Sequence, residues 1–345
     1  MPEHNMESSC CSCAGQAPCC CTIPAITSEI TTANRIDHFL ARWGYKRSGH
    51  RVKPGLYQIG TPGADAPVFA SANYSLSFDA LRSNLKGMDA YILVLDTKGI
   101  NVWCAAGKGT FGTDELVRRI ESTALGQVVS HRTIIVPELG APGIAAHEVK
   151  RRSGFTVKYG PVRAADLPEY LKIGHATPKM RLVTFPLQDR VVLAPMELVH
   201  IALPAIIITI LLWLLAGYLA ALAAITAVIA GTVLFPLLLP LLPTRDFSMK
   251  GLILGAIVAI PFSITYAETP GLPEWALYAG ALVPLLIIPP VVGYLALNFT
   301  GSTPFTSRTG VRREIFRYIP VMTGMAALGG IIGIALGIFR LTGVI

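Results

Sequence analysis

Charge is scarce in this chain. Only 14% of its 345 residues are Asp, Glu, Lys or Arg, against about 25% in an ordinary soluble protein. The deficit is uneven, because residues 1–196 carry 22 of the 29 Lys+Arg and 16 of the 21 Asp+Glu. A soluble half of ordinary composition is therefore joined to a membrane half. No dense Lys/Arg run with interleaved aromatics occurs, so nucleic acid is not an expected partner. The net charge of +8 suits an anionic leaflet or an acidic redox protein. No basic segment followed by an apolar run opens the chain, so no signal peptide is read there. The soluble half is then expected in the cytoplasm, where thiols stay reduced. Beyond Cys21 the chain has no cysteine except Cys104, and a disulfide framework is not expected.

Residues 1–30 read as a flexible tail rich in Ser, Pro, Gly and Cys. Its six cysteines, Cys10, Cys11, Cys13, Cys19, Cys20 and Cys21, lack the C-x2-C-x2-C-x3-C spacing of an iron–sulfur site. They are either a solvated tail or mobile soft thiolates able to handle a thiophilic ion such as Hg(II), Cu(I) or Zn(II). From residue 31 to 196 strand and helix signals alternate. A helix is expected over 31–43, strands over 56–59, 68–72, 90–95, 133–136 and 155–158, and helices over 78–86, 113–125, 144–152 and 166–173. Weaker strands are read at 181–185 and 191–193. Ala90–Leu95 (AYILVL) is the continuous apolar run of a strand buried on both faces. This order implies a parallel, Rossmann-like α/β sheet, whose ligands sit at the carboxyl ends of its strands.

From Glu197 onward five spans are read, at 198–218, 220–242, 250–267, 275–297 and 316–339, each near the ~20 residues that cross a bilayer core. The second loop carries Arg245 and Lys250, and the fourth carries Arg308, Arg312 and Arg313. The third has Glu268 and Glu274 and no basic residue. This pattern predicts an inner-membrane protein with its N-terminal domain in the cytoplasm and its C-terminus outside. Ionisable residues are nearly absent from the spans, so the membrane half reads as an anchor rather than a pump or ion-coupled transporter.

The stretch Asn101-Val102-Trp103-Cys104-Ala105-Ala106-Gly107-Lys108 follows the AYILVL strand. Asn101 is a good N-cap, and Gly107 and Gly109 end the helix within two turns. Cys104 then falls in the first turn, where unpaired N–H groups and the helix dipole favour an anion. A thiolate offered there is a nucleophile or a soft metal ligand, and a buried inert cysteine is the plainer alternative. A Walker A loop fails at Val102 and Gly109. Gly107-Lys108-Gly109-Thr110-Phe111-Gly112 fits G-x-G-x-x-G, but it is set off from the strand and lacks the later acidic residue of a dinucleotide site. His131, His147 and His175 are the candidate bases for a Cys–His pair, with no signature tying any of them to Cys104.

Asn101–Lys108 resembles the diagnostic cap-helix motif of the mercury-methylating corrinoid protein family, HgcA. Gly160-Pro161-Val162-Arg163-Ala164-Ala165-Asp166-Leu167-Pro168 is similar to a segment shared with the corrinoid domain of the corrinoid iron–sulfur protein of the acetyl-CoA pathway. The resemblance runs from about residue 55 to the C-terminus and leaves the cysteine-rich tail unexplained. It implies an α/β Rossmann-like corrinoid-binding domain followed by an all-α transmembrane domain of five helices. It further implies that Cys104 is the catalytic residue and the lower axial ligand of corrinoid cobalt, with Asn101, Val102, Trp103, Ala105, Ala106, Gly107 and Lys108 binding the cofactor around it. The D-x-H-x-x-G pattern is absent, so no histidine ligand of that type is on offer. The reaction implied is methyl transfer from a folate-linked donor through Co(I) to Hg(II), giving methylmercury. The implied partner is a ferredoxin-like protein with two 4Fe–4S clusters, HgcB. A corrinoid methyl carrier of one-carbon metabolism, without mercury as native substrate, is the alternative.

Overall fold

The computed structural model describes residues 23–46, 49–302 and 308–344. The six tail cysteines, Cys10 to Cys21, lie outside the described residues. The soluble domain is one six-stranded sheet in the order β1-β2-β4-β3-β5-β6. The strands are β1 (Ala25–Ile26), β2 (Gly55–Ile59), β3 (Val68–Ala72), β4 (Ala90–Leu95), β5 (Thr133–Pro137) and β6 (Thr156–Gly160). The four strands β4, β3, β5 and β6 are parallel. The helices between them are α2 (Ser75–Ser83), α3 (Val102–Lys108), α4 (Thr113–Ser122), α5 (Leu125–Val128) and α6 (Ala146–Ser153), with α7 (Leu167–Ile173) after β6. Helix α1 (Thr32–Arg42) precedes the sheet proper.

Every residue of β4 is buried, as its unbroken apolar run requires when helices cover both faces. One core cluster lies under α3, α4 and α6 and includes Leu93, Leu95, Ala105, Leu116 and Val149. The other lies under α2 and α7 and includes Ile92, Val94, Phe78, Leu81 and Tyr170.

Three expectations are corrected. The sheet is mixed, because β2 runs antiparallel to β4 and β1 pairs parallel to β2. Strand β1 falls inside the stretch expected to be tail. Its two residues join the edge left open by β2, which a propensity argument on so short a segment cannot reveal. The weak strands at 181–185 and 191–193 do not form. Pro186 instead starts the helix α8 (Leu187–Val191), since Pro fits the entry of a helix.

Among the described residues five helices are long and apolar enough to cross a membrane. They are α9 (Ala194–Ala216), α10 (Tyr218–Ile229, continued through a π turn at Ala230–Leu234 and α11, Phe235–Leu238), α12 (Phe247–Ala267), α13 (Glu274–Leu297) and α14 (Arg308–Leu341). Gly217 alone, at φ 87°, separates the first two. The first begins before residue 198 and the last before residue 316, because helical hydrogen bonding continues past the apolar stretch that periodicity detects. The core of this half is built by α10, α11, α12 and α13, around Phe235, Phe247, Ile288, Val292 and Phe299.

Candidate functional site

The parallel strands reverse their order of addition at β3. The chain passes from β3 through α2 to β4 on one side, then returns through α3 and α4 to β5 on the other. Such a switch point opens a crevice at the carboxyl ends of the strands. A crevice of about 380 Å³ lies there. Its walls are Ala70 and Ser71 of β3, Asn101, Val102 and Trp103 at the start of α3, Ile135 and Pro137 of β5, and Gly160 of β6. The volume is within the range of small-molecule sites.

Asn73, at 2% exposure, builds the loop that presents α3. Its Oδ1 accepts from the Thr97 N–H at 3.1 Å, the Thr97 hydroxyl at 2.9 Å and the Gly99 N–H at 2.9 Å, while its amide donates to Asp96 at 3.2 Å. Glu115 accepts the Asp96 N–H at 2.8 Å. Asn101 is the N-cap, as expected, and its side chain accepts the Cys104 N–H at 2.8 Å. Gly109 closes the helix at φ 81°, a left-handed conformation that costs other residues energy.

Within Asn101–Lys108 the side chains divide by face. Val102, Ala105 and Ala106 are buried and seat the helix on the domain. Asn101, Gly107 and Lys108 are exposed, and Trp103 and Cys104 are half-buried. The helix rests closely on the 3-10 segment Glu138–Gly143. A side chain at Gly143 would strike the Phe111 carbonyl at 2.2 Å and the Ala106 backbone at 3.1 Å. The G-x-G-x-x-G pattern is the joint between α3 and α4. Gly109 ends one helix and Gly112 is the N-cap of the next, so neither glycine follows a strand as a phosphate cradle would.

None of the three histidines completes a Cys–His pair. His131 sits before β5, at the opposite end of the sheet, with Nε2 2.9 Å from the Ala66 carbonyl and Nδ1 accepting the Thr133 N–H. His147 and His175 are exposed on or beyond α6 and α7. Among the described residues no three His, Cys, Asp or Glu side chains converge to hold a metal. A protein-enclosed zinc site takes four donors.

The outer wall was not legible in the sequence. Val183, Phe185 and Asp189, from the connector to the membrane half, line the crevice opposite α3. Asp189 accepts from Arg163 Nη2 at 2.6 Å, so the segment Gly160–Pro168 also latches this wall. Phe185 packs against the membrane core, and the neighbouring Arg190 donates to the carbonyls of Pro236 and Leu237. Glu138, next to Pro137, keeps Oε2 buried without a partner, while Oε1 accepts from Arg181 at 3.2 Å. Burial and then the Glu138 carboxylate push the Tyr159 phenol above its usual range, so it stays neutral and donates to the Ile144 carbonyl at 2.8 Å.

A larger cavity, about 580 Å³, lies at the other edge beside β1, α1 and α2. Several of its charged groups pair with one another. Asp37 meets His50 and Ser75, Asp79 meets His38 and Arg82, and Arg82 donates to the carbonyls of Thr27 and Glu29. This network clasps the incoming chain to the domain.

The model of the family described as CO dehydrogenase/acetyl-CoA synthase delta subunit matches residues 44–171. That stretch runs from the loop before β2 into α7 and contains Asn73 and Cys104. The chain is similar to acetyl-CoA decarbonylase/synthase complex subunit gamma of Methanopyrus kandleri, 30% identical over 128 residues, covering 36% of this chain and 27% of that protein. The subunit gamma of Archaeoglobus fulgidus is 31% identical over 128 residues, with 36% and 27% covered. That of Methanothermobacter thermautotrophicus is 32% identical over 127 residues, again with 36% and 27% covered. The chain thus spans about a quarter of the length of these relatives. The similarity to these acetyl-CoA decarbonylase/synthase subunits is confined to the α/β domain. The family match ends before Val183, Phe185 and Asp189, so the outer wall and the membrane half lie outside it.

Proposed function

We propose that the soluble domain holds a corrinoid over the outward face of α3, with Cys104 as lower axial ligand, and that the protein is a membrane-anchored methyl carrier and methyltransferase of one-carbon metabolism. The observation that carries this reading is the half-buried thiol of Cys104, the one cysteine among the described residues, on a capped helix beside the switch-point crevice and within the matched stretch. When bound, the corrinoid supplies a cobalt centre that accepts a methyl group and passes it on. Cys104 would hold the cobalt through its thiolate and would make it a better methyl donor. Asn101 and the Asn73 loop hold the thiol in position. Val102 and Trp103 keep water from one side, Phe185 from the other.

The finer reading concerns the acceptor. Asn101–Lys108 is intact for the family that methylates mercury, and a thiolate donor below favours transfer to an electrophilic, thiophilic acceptor such as Hg(II). The electron source is then the ferredoxin-like partner with two 4Fe–4S clusters, the methyl source a folate-linked donor, and the tail cysteines Cys10–Cys21 carry mercury toward the site. The soluble domain lies in the cytoplasm and the C-terminus outside the inner membrane. A C-terminal reporter that is active only inside the cell overturns that topology if it is active.

The decisive experiment is the visible spectrum of the anaerobically purified full chain loaded with corrinoid. A sulfur-ligated spectrum that reverts to a weakly ligated one in Cys104→Ala is expected. No corrinoid bound, or spectra identical in the two proteins, overturns the reading. Methylmercury formation with the ferredoxin-like partner present then decides the acceptor. Production undiminished after replacing all six tail cysteines by serine removes their assigned role.

A further inference from the structure

Helix α1 turns two unlike faces outward and inward. Asn34, Asp37 and His38 face the domain and are held there by Arg82, by His50 with Ser75, and by Asp79. Ala41 on the same side is 1% exposed. The opposite face carries Ile36, Phe39 and Trp43, exposed by 56%, 59% and 39%, and Tyr45 follows at 54%. Positions 36, 39 and 43 form one stripe at helical spacing. The rings of Phe39 and Trp43 stand 5.8 Å apart. Arg35, Arg42 and Lys46 are exposed beside the stripe, and the Lys46 ammonium lies 5.5 Å from the centre of the Tyr45 ring. A contiguous apolar face of this kind marks an interaction site.

A second observation says what covers it. Gly44, one residue beyond Trp43, abuts Met196 at the head of α9, so that a Cβ added at Gly44 would lie 3.2 Å from the Met196 sulfur. Helix α9 is the first membrane-length helix. The end of α1 therefore stands where the chain enters the bilayer. Trp and Tyr at the end of an apolar stripe flanked by Lys and Arg are the residue set of the headgroup region, where aromatic bodies meet acyl chains and cations meet phosphates.

We propose that α1 is an interfacial helix, lying in the leaflet on the soluble domain's side, and that the occupant of its outward face is anionic phospholipid. Ile36, Phe39 and Trp43 enter the acyl boundary, and Arg35, Arg42 and Lys46 meet the headgroup phosphates. The domain is then held to the bilayer at α1 as well as at α8 and α9, and its crevice keeps one orientation to the membrane surface. This does not depend on what the crevice binds.

The test uses the full chain in phosphatidylcholine nanodiscs, with and without phosphatidylglycerol. The photo-cross-linking residue benzoylphenylalanine replaces Phe39, Leu215 in the first span, or Arg151 on α6. Leu215 is 82% exposed, and its lipid adduct reports a folded, inserted protein. A lipid adduct at position 39 comparable to that at 215, and none at 151, is expected. The adduct at 39 should rise several-fold when phosphatidylglycerol is present. Arg35→Glu, Arg42→Glu and Lys46→Glu together should abolish that rise without changing the adduct at 215. A protein adduct at 39, whether to a second copy or to the chain's own N-terminal residues, overturns the proposal. So does an absent lipid adduct at 39 when 215 gives one. Equal adducts with and without the anionic lipid overturn the choice of anionic lipid.

Discussion

The two halves of this molecule differ in what they expose and in how closely their buried backbones approach. In the α/β domain the interior is made of large side chains, among them Phe69, Phe111, Phe155, Ile92 and Leu93, all below 3% exposure. In the membrane half large residues such as Ile207, Leu211, Leu214 and Leu215 face outward, while Gly251, Gly255, Ala259, Gly293 and Ala296 lie inside. Water drives apolar area inward in the first case. Lipid offers no such drive, so helices associate through close contact of small residues. A Cβ at Gly255 would come within 2.5 Å of the Pro289 Cα. Polar closure differs too. Asn73 organises a loop around the site, whereas buried Glu314 accepts the N–H and hydroxyl of Ser248 at 3.1 Å each and so closes the start of α12. The site belongs to the first half, and its outer wall, with Phe185, is seated on the second.

The largest effect is expected from Gly251→Val. The new Cβ would lie 2.6 Å from the Gly293 Cα, and overpacking of this kind costs about 3 kcal/mol. Denaturation of the membrane helices in mixed micelles should shift accordingly, with hydrogen exchange in β3 to β5 unchanged. Loss of protection in the sheet as well would show that the two halves fold as one unit. Asn73→Ala tests the reverse direction. It leaves the Thr97 and Gly99 donors without their buried acceptor, at about 2 kcal/mol. Faster hydrogen exchange confined to 96–108, with the membrane helices untouched, is expected, and an unchanged loop would refute its organising role. The smallest effect is Asn101→Ala, about 1 kcal/mol from a lost N-cap. The Cys104 amide should exchange faster, and Asn101→Asp should restore its protection. Equal exchange in all three proteins would mean that the cap does not hold α3.

Much of the site's scaffold could be read from local patterns. Asn101 as N-cap, Cys104 in the first turn, Gly109 at the end, and β4 as a doubly buried strand all rest on interactions within a few residues. Five membrane-length helices follow from apolar runs that no soluble fold would tolerate. Asn73 went unnoticed because its partners lie 23 to 26 residues away, with no periodic mark. Phe185 and Asp189 went unnoticed because their segment reads as weak strand, and only packing against the membrane core gives it another use.

What the amino-acid sequence determined by itself is the division into two solvents and the short helix that offers a thiol. Both depend on composition and on hydrogen bonds between near neighbours. Tertiary structure alone decided the strand order that opens a crevice beside that thiol, and the antiparallel β2 at the sheet edge. It also decided the wall lent by the membrane connector and the unpartnered face of α1 beside the first span. These depend on which distant segments meet, and the energy of that choice is spread over contacts that no single stretch of sequence contains.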